Sequence, residues 1–125
     1  MNITIRTIPY DAMRYPTPGD WVFADEHNLQ ITVAGIGDRR MEALIGVHEL
    51  IEALLCDRRG ITTEAVDAFD KMFEANRKDD DLSEPGDSPL APYRREHFFA
   101  EAIERLLAAE MGVDWNEYAD RIDAL

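Results

Sequence analysis

The chain predicts an α+β fold: a small antiparallel sheet, made of an N-terminal strand plus a hairpin, followed by three to four packed helices. Three observations lead there. Residues 2–8, Asn-Ile-Thr-Ile-Arg-Thr-Ile, alternate polar and apolar with β-branched side chains, the period of a half-buried strand. Apolar residues recur at helical spacing over 40–58, 62–76 and 92–111. Capping residues and glycines stand at the ends of those stretches. A chain of 125 residues has room for one domain with a single core, with 1–37 as its β section and 38–125 as its helical section.

After the first strand, Pro16, Pro18 and Gly19 mark a turn-rich connection. Trp21–Ala24 and Leu29–Val33 read as the strands of a hairpin around Asp25-Glu26-His27-Asn28, and Gly35-Ile36-Gly37 closes the section. Asp38 suits the N-cap of the first helix, Arg58 and Arg59 suit its dipole at the far end, and Gly60 suits the stop. Thr62 or Thr63 opens a second helix, with Val66, Phe69 and Phe73 on its apolar side. Residues 77–92 hold Asp79-Asp80-Asp81 and then four Pro or Gly residues, which makes them a loop. Pro92 fits the first turn of a third helix closed by Gly112, and Asp114-Trp115-Asn116-Glu117 has the capping-box form that opens a short terminal helix.

Composition excludes several classes. A formal charge of −13 argues against direct binding to nucleic acid, whose phosphates are held by Lys and Arg. No apolar run reaches spanning length and the N-terminus does not resemble a signal peptide, so a cytoplasmic address is expected, with no membrane association. The single Cys56 agrees with a reducing compartment, and its placement suggests a buried structural thiol.

The residues that can carry chemistry lie on the helices. On the first, Met41, Leu44, Ile45, Ile51 and Leu55 share a face, and His48 and Glu52 project from its centre. An unpaired carboxylate removed from water costs several kcal/mol, so Glu52 needs a metal ion, an Arg or a shared proton. On the third helix Glu96 lines up with Ala100, Ile103 and Leu107, while His97 lies at the edge of that face near Glu101 and Glu104. Histidines with carboxylates form common ligand sets for zinc and for non-haem iron or manganese. The expected site therefore takes His48, Glu52, Glu96 and His97 as ligands of a divalent metal (Zn, Mn, Fe or Mg). Glu52 and Glu96 should meet between the two helices.

His48-Glu49-Leu50-Ile51-Glu52 resembles the His-Glu-x-x-His helix of the zincin metallohydrolases. That resemblance implies His48 as a ligand, Glu49 as the base that activates water, Glu52 as the second ligand and a later carboxylate such as Glu96 as the third. Glu52 departs from the pattern by replacing its second His. Glu49-x-x-Glu52 followed by Asp67-x-x-Asp70 resembles the carboxylate pairs of all-α nucleotide pyrophosphohydrolases, where they hold magnesium against a triphosphate. The β-rich first third has no place in that helical bundle. The wider pattern combines His-Glu-Leu-Ile-Glu-Ala-Leu-Leu-Cys at 48–56, Glu-Pro-Gly-Asp-Ser-Pro at 84–89 and Ala-Pro-Tyr-Arg-Arg-Glu-His at 91–97. It is similar to an uncharacterised family of small acidic proteins of phages and prophages, which implies an origin and no activity.

Three readings stay open on the sequence. One is a metal-dependent hydrolase acting on a small-molecule or peptide substrate, with Glu49 catalytic, His48, Glu52, Glu96 and His97 as ligands, and Asp67 and Asp70 nearby. Another is a non-enzymatic acidic accessory protein that binds a host or phage protein as decoy or inhibitor. The third is a magnesium-dependent enzyme of the pyrophosphohydrolase kind.

Overall fold

A computed structural model describes all residues, 1–125. It has a three-stranded sheet, β1 (Asn2–Ile8), β2 (Gly19–Asp25) and β3 (Asn28–Ala34), and four helices, α1 (Arg39–Arg58), α2 (Thr63–Ala75), α3 (Arg94–Glu110) and α4 (Trp115–Asp123). The α+β class with a small sheet and four helices is as expected. None of the helices is long and apolar enough to cross a membrane.

The sheet departs from expectation in one respect. β2 and β3 form the antiparallel hairpin, but β1 pairs with β3 in parallel, Asn2 opposite Asn28 through Ile8 opposite Ala34, so the sheet is mixed rather than antiparallel. The order is β1-β3-β2. A strand can join a hairpin at either edge, and the periodicity of β1 does not say which. Because β1 takes the free edge of β3, residues 9–18 pass over the end of β3 to reach β2, a distance of about two strand spacings, or ~10 Å. Leu29, Ile31 and Val33 of the central strand alternate onto the covered face and are almost fully buried.

The helix ends follow local chemistry. The Asp38 side chain accepts from the backbone N–H groups of Arg40 and Met41, and Thr62 and Asp114 cap α2 and α4 in the same way. Gly60 and Gly112 take positive φ, +72° and +66°, directly after α1 and α3. The next residues, Ile61 and Val113, donate back to Cys56 O and Ala108 O and close both helices. α3 starts at Arg94, two residues later than expected, with Pro92 and Tyr93 in the turn before it.

α1 lies between the sheet and α3. Its buried positions are Met41, Leu44, Ile45, Gly46, His48, Glu52, Ala53 and Cys56, whereas Ile51 and Leu55, expected to share the apolar face, are half-buried. The buried face of α3 is likewise turned from the expected one: it runs through Glu96, His97, Ala100, Glu104 and Ala108, and Ile103 and Leu107 flank it. The reason is steric. Small side chains on α3, Ala100 and Ala108, lie on the same buried stripe as its polar residues and leave room for α1 to approach. Cys56 is fully buried and burial raises its thiol pKa, which agrees with a structural role.

Gly46 sets the approach of α1 to the sheet. A Cβ there would lie 2.9 Å from Ile5 Cγ2 and 3.6 Å from Val33 Cγ2. Gly46→Val should therefore cost about 1–3 kcal/mol through overpacking. Ile5→Ala, at a half-exposed edge position, should recover most of that loss in the double variant. Urea unfolding of the four proteins measures the coupling, and strictly additive effects would mean that Gly46 is not in contact with β1.

Candidate metal centre

Helical spacing brings the site together. His48 and Glu52 are one turn apart on α1, and His97 and Glu104 are seven residues apart on one face of α3. Where the helices pack, three donor atoms from different side chains converge. His48 Nε2, His97 Nδ1 and Glu52 Oε2 are each 3.2 Å from the other two. All three residues are buried, with the imidazole centroids 4.9 Å apart.

Further contacts fix the direction of each donor. The outer nitrogen of His48, Nδ1, lies 3.0 Å from Glu104 Oε1, and Glu104 also accepts a hydrogen bond from the Tyr118 hydroxyl. The second oxygen of Glu52 accepts from the indole N–H of Trp21 at 3.1 Å. The outer nitrogen of His97, Nε2, faces Glu84 Oε2 at 3.1 Å and Asp87 Oδ1 at 3.3 Å. Both imidazoles thus face carboxylates on their outer edges, which favour a positive charge there and leave the inner lone pairs aimed at one point. The Glu104 carboxylate behind His48 has the orienting effect that such groups have behind ligating histidines in metal sites.

The electrostatics follow from this packing. Burial disfavours the charged form of His48, but its hydrogen bonds to Glu104 and Glu52 outweigh that and hold its pKa well above the ordinary range. Burial likewise opposes the His97 cation, yet Glu52 and Glu84 raise its pKa to about 10. Burial alone would raise Glu52; the two imidazoles instead lower it to about 2. Without an ion the cluster is held by protons, and two N–H groups then share one carboxylate oxygen while their nitrogens stand 3.2 Å apart. A divalent cation can replace those protons at the same point.

Glu49 differs from its neighbours. It is partly buried beside Gly19, where a Cβ would lie 2.6 Å from Glu49 Oε1, and its carboxyl opens into the cleft without a hydrogen-bond partner in the protein. Burial, and then the charge of Glu52, raise its pKa well above the usual carboxyl range. The cleft it shares with His48, Glu52 and His97 has a volume of about 580 Å³, and eleven of the 26 acidic residues line it.

Of the residues singled out from the sequence, His48, Glu52 and His97 come together and Glu49 stands in the same cleft. Glu96 does not join them. It is buried on the neighbouring stripe of α3 and pairs with Arg59 at 2.6 Å, so the carboxylate expected to meet Glu52 is matched by a guanidinium instead. Asp67 is held by Arg14, which also grips Asp20, and Asp70 accepts hydrogen bonds from Tyr15 and Tyr93. Asp67 and Asp70 border the cleft, yet protein donors already occupy both.

The sequence reading placed Glu104 beside His97 but gave it no role, and it missed Trp21, Tyr118, Glu84 and Asp87. A signal existed for Glu104, which is seven residues from His97. Trp21 and Tyr118 gave none, because an aromatic that donates one hydrogen bond into a core has the pattern of any core aromatic. No protein-family model, no curated protein and no solved structure matches the chain.

Asp70 makes the cleft pH-sensitive. Burial raises its carboxyl to about 7, although the hydroxyls of Tyr93 and Tyr15 favour the ionised form. The folded chain keeps this proton where the unfolded chain has released it. The resulting stability is complete below about pH 4 and is lost as the pH rises towards 7. Relative to Asp70→Asn, the wild type should lose on the order of 3 kcal/mol between pH 4 and pH 8. Urea unfolding across that range measures the difference, and parallel profiles would show that burial does not hold the proton.

Proposed function

We propose that His48, Glu52 and His97 hold a divalent metal ion and that the protein is a metal-dependent hydrolase with Glu49 as its general base. The observation that carries the reading is the triangle of donors, 3.2 Å on each side, with the outer edge of each imidazole backed by carboxylates. Tetrahedral donors bound at the ~2.0–2.1 Å of zinc–nitrogen and zinc–oxygen bonds stand about 3.3–3.4 Å apart. Octahedral donors at such lengths stand about 2.9 Å apart. The triangle accommodates either face and leaves the remaining positions for water and substrate.

Two imidazoles and one carboxylate also form the donor set of the zinc metallohydrolases that the His-Glu-x-x-Glu segment resembles. Here the second His and the Glu have exchanged places: the motif helix supplies Glu52 and the later helix supplies His97. That exchange answers the departure noted in the sequence. The ion would supply the Lewis acidity that polarises the scissile group and makes water a nucleophile near neutral pH. Glu49 would take the proton from the attacking water and pass it to the leaving group. A carboxyl in the cleft with no competing hydrogen-bond partner is free for that transfer. The concentration of acids in a concave cleft favours a site over an acidic decoy surface, and the donors already on Asp67 and Asp70 weigh against a magnesium–triphosphate site.

Elemental analysis of purified protein should find metal in the wild type. His48→Ala and His97→Ala should lose the ion of the triad, while Glu49→Gln should retain it and lose at least about 100-fold of any hydrolytic activity detected. Chelation should lower the melting temperature of the wild type by several degrees and barely move that of Glu52→Gln, because binding energy counts as folding energy. Wild-type protein that takes up no zinc, manganese or iron would remove the reading. Full activity in Glu49→Gln would remove only the assigned base.

A further inference from the structure

We propose that Glu84, Asp87 and the outer nitrogen of His97 form a second divalent-cation site, joined to the first through the His97 imidazole. The bridging half rests on the reading of the triad as a metal centre; the second site itself does not.

His97 Nε2 carries the argument. It is a buried polar atom with no hydrogen-bond partner, on a residue only 4% exposed. Such an orphan is rare in a folded protein and calls for an explanation. Glu84 Oε2 and Asp87 Oδ1 lie 3.1 and 3.3 Å from it, yet neither is placed to accept the ring N–H. Those separations are instead the ~2.9–3.4 Å expected between donors that share one ion. An imidazole nitrogen and two carboxylate oxygens are donors that zinc and manganese accept.

The loop is built to hold this geometry. Residues 85–87 form a single 3-10 turn, in which Asp87 N donates to Glu84 O at 3.0 Å and Glu84 N donates to Asp87 Oδ2 at 3.2 Å. The reciprocal bonds fix the two acidic residues relative to each other. Gly86 lies against the imidazole: a Cβ there would come within 2.4 Å of His97 Cγ, so a larger residue would push the ring away from both sets of donors. Glu84 and Asp87 side chains are 49% and 39% exposed, which leaves room for water ligands and makes this the weaker, outer site. The incoming ion takes the place of a proton on Nε2, which leaves to solvent, and the ring then donates one lone pair to each ion.

The test is a zinc titration of metal-free protein, followed by native mass spectrometry and calorimetry. Wild type should bind two ions and Glu84→Gln/Asp87→Asn one, while circular dichroism confirms that the variant is folded. Loading with Cu²⁺ adds a second measurement, because an imidazole bridge couples the two spins and suppresses the resonance signal of isolated copper. One ion in both proteins would overturn the second site. One ion in the wild type and none in the double variant would keep the outer site and overturn the triad with the bridge. Two copper ions with undiminished, uncoupled signals would overturn the bridge alone.

Discussion

The contact between α1 and α3 governs the arrangement of this protein, because it takes ionisable groups out of water where most helix pairs place only apolar side chains. His48, Glu52, His97 and Glu104 are all buried there. Each would be costly without partners, and the partners come from most of the remaining chain. β2 contributes the Trp21 indole, α4 the Tyr118 hydroxyl, and the turn at 85–87 the carboxylates of Glu84 and Asp87. The sheet, the terminal helix and the long loop are thereby tied to one polar centre.

Charge explains why such a centre suits a cation. Five carboxyls, those of Glu49, Glu52, Glu84, Asp87 and Glu104, surround two imidazoles. Protons can balance part of this charge, and the raised pKa values of both histidines express that balance. The acids farther out are treated differently. Arg14 neutralises Asp20 and Asp67, and Arg59 neutralises Glu96. Guanidinium groups thus serve the periphery, while Glu52, Glu84, Asp87 and Glu104 face imidazoles.

The polar stripe also accounts for the residue sizes around it. Ala100 and Ala108 of α3 are too small to fill a core by themselves, and they let α1 come close enough for side chains from both helices to share donors. The larger Ile103 and Leu107 sit at the flank. Packing bulk is supplied on the other side of α1 by Leu29, Ile31 and Val33 of the central strand together with Trp21. One helix therefore has an apolar face against the sheet and a polar face against α3, which blurs its amphipathic pattern.

The sequence by itself determined what depends on neighbours along the chain. Strand alternation, the caps at Asp38, Thr62 and Asp114, and the stops at Gly60 and Gly112 act over one turn or one pleat, so the elements and their ends were legible. So was the pairing of His48 with Glu52, because a separation of four residues places both on one face of a helix. Tertiary structure decided everything that crosses between elements. The parallel placement of β1 depended on which hairpin edge was free, a choice its alternation cannot encode. The partner of Glu52 depended on the rotation of α3, where a shift of about one residue, 100°, replaced Glu96 with His97 at the centre of the contact. That rotation came from side-chain volume: a helix turns its small residues towards a close neighbour, and here His97 travels with Ala100, Glu104 and Ala108.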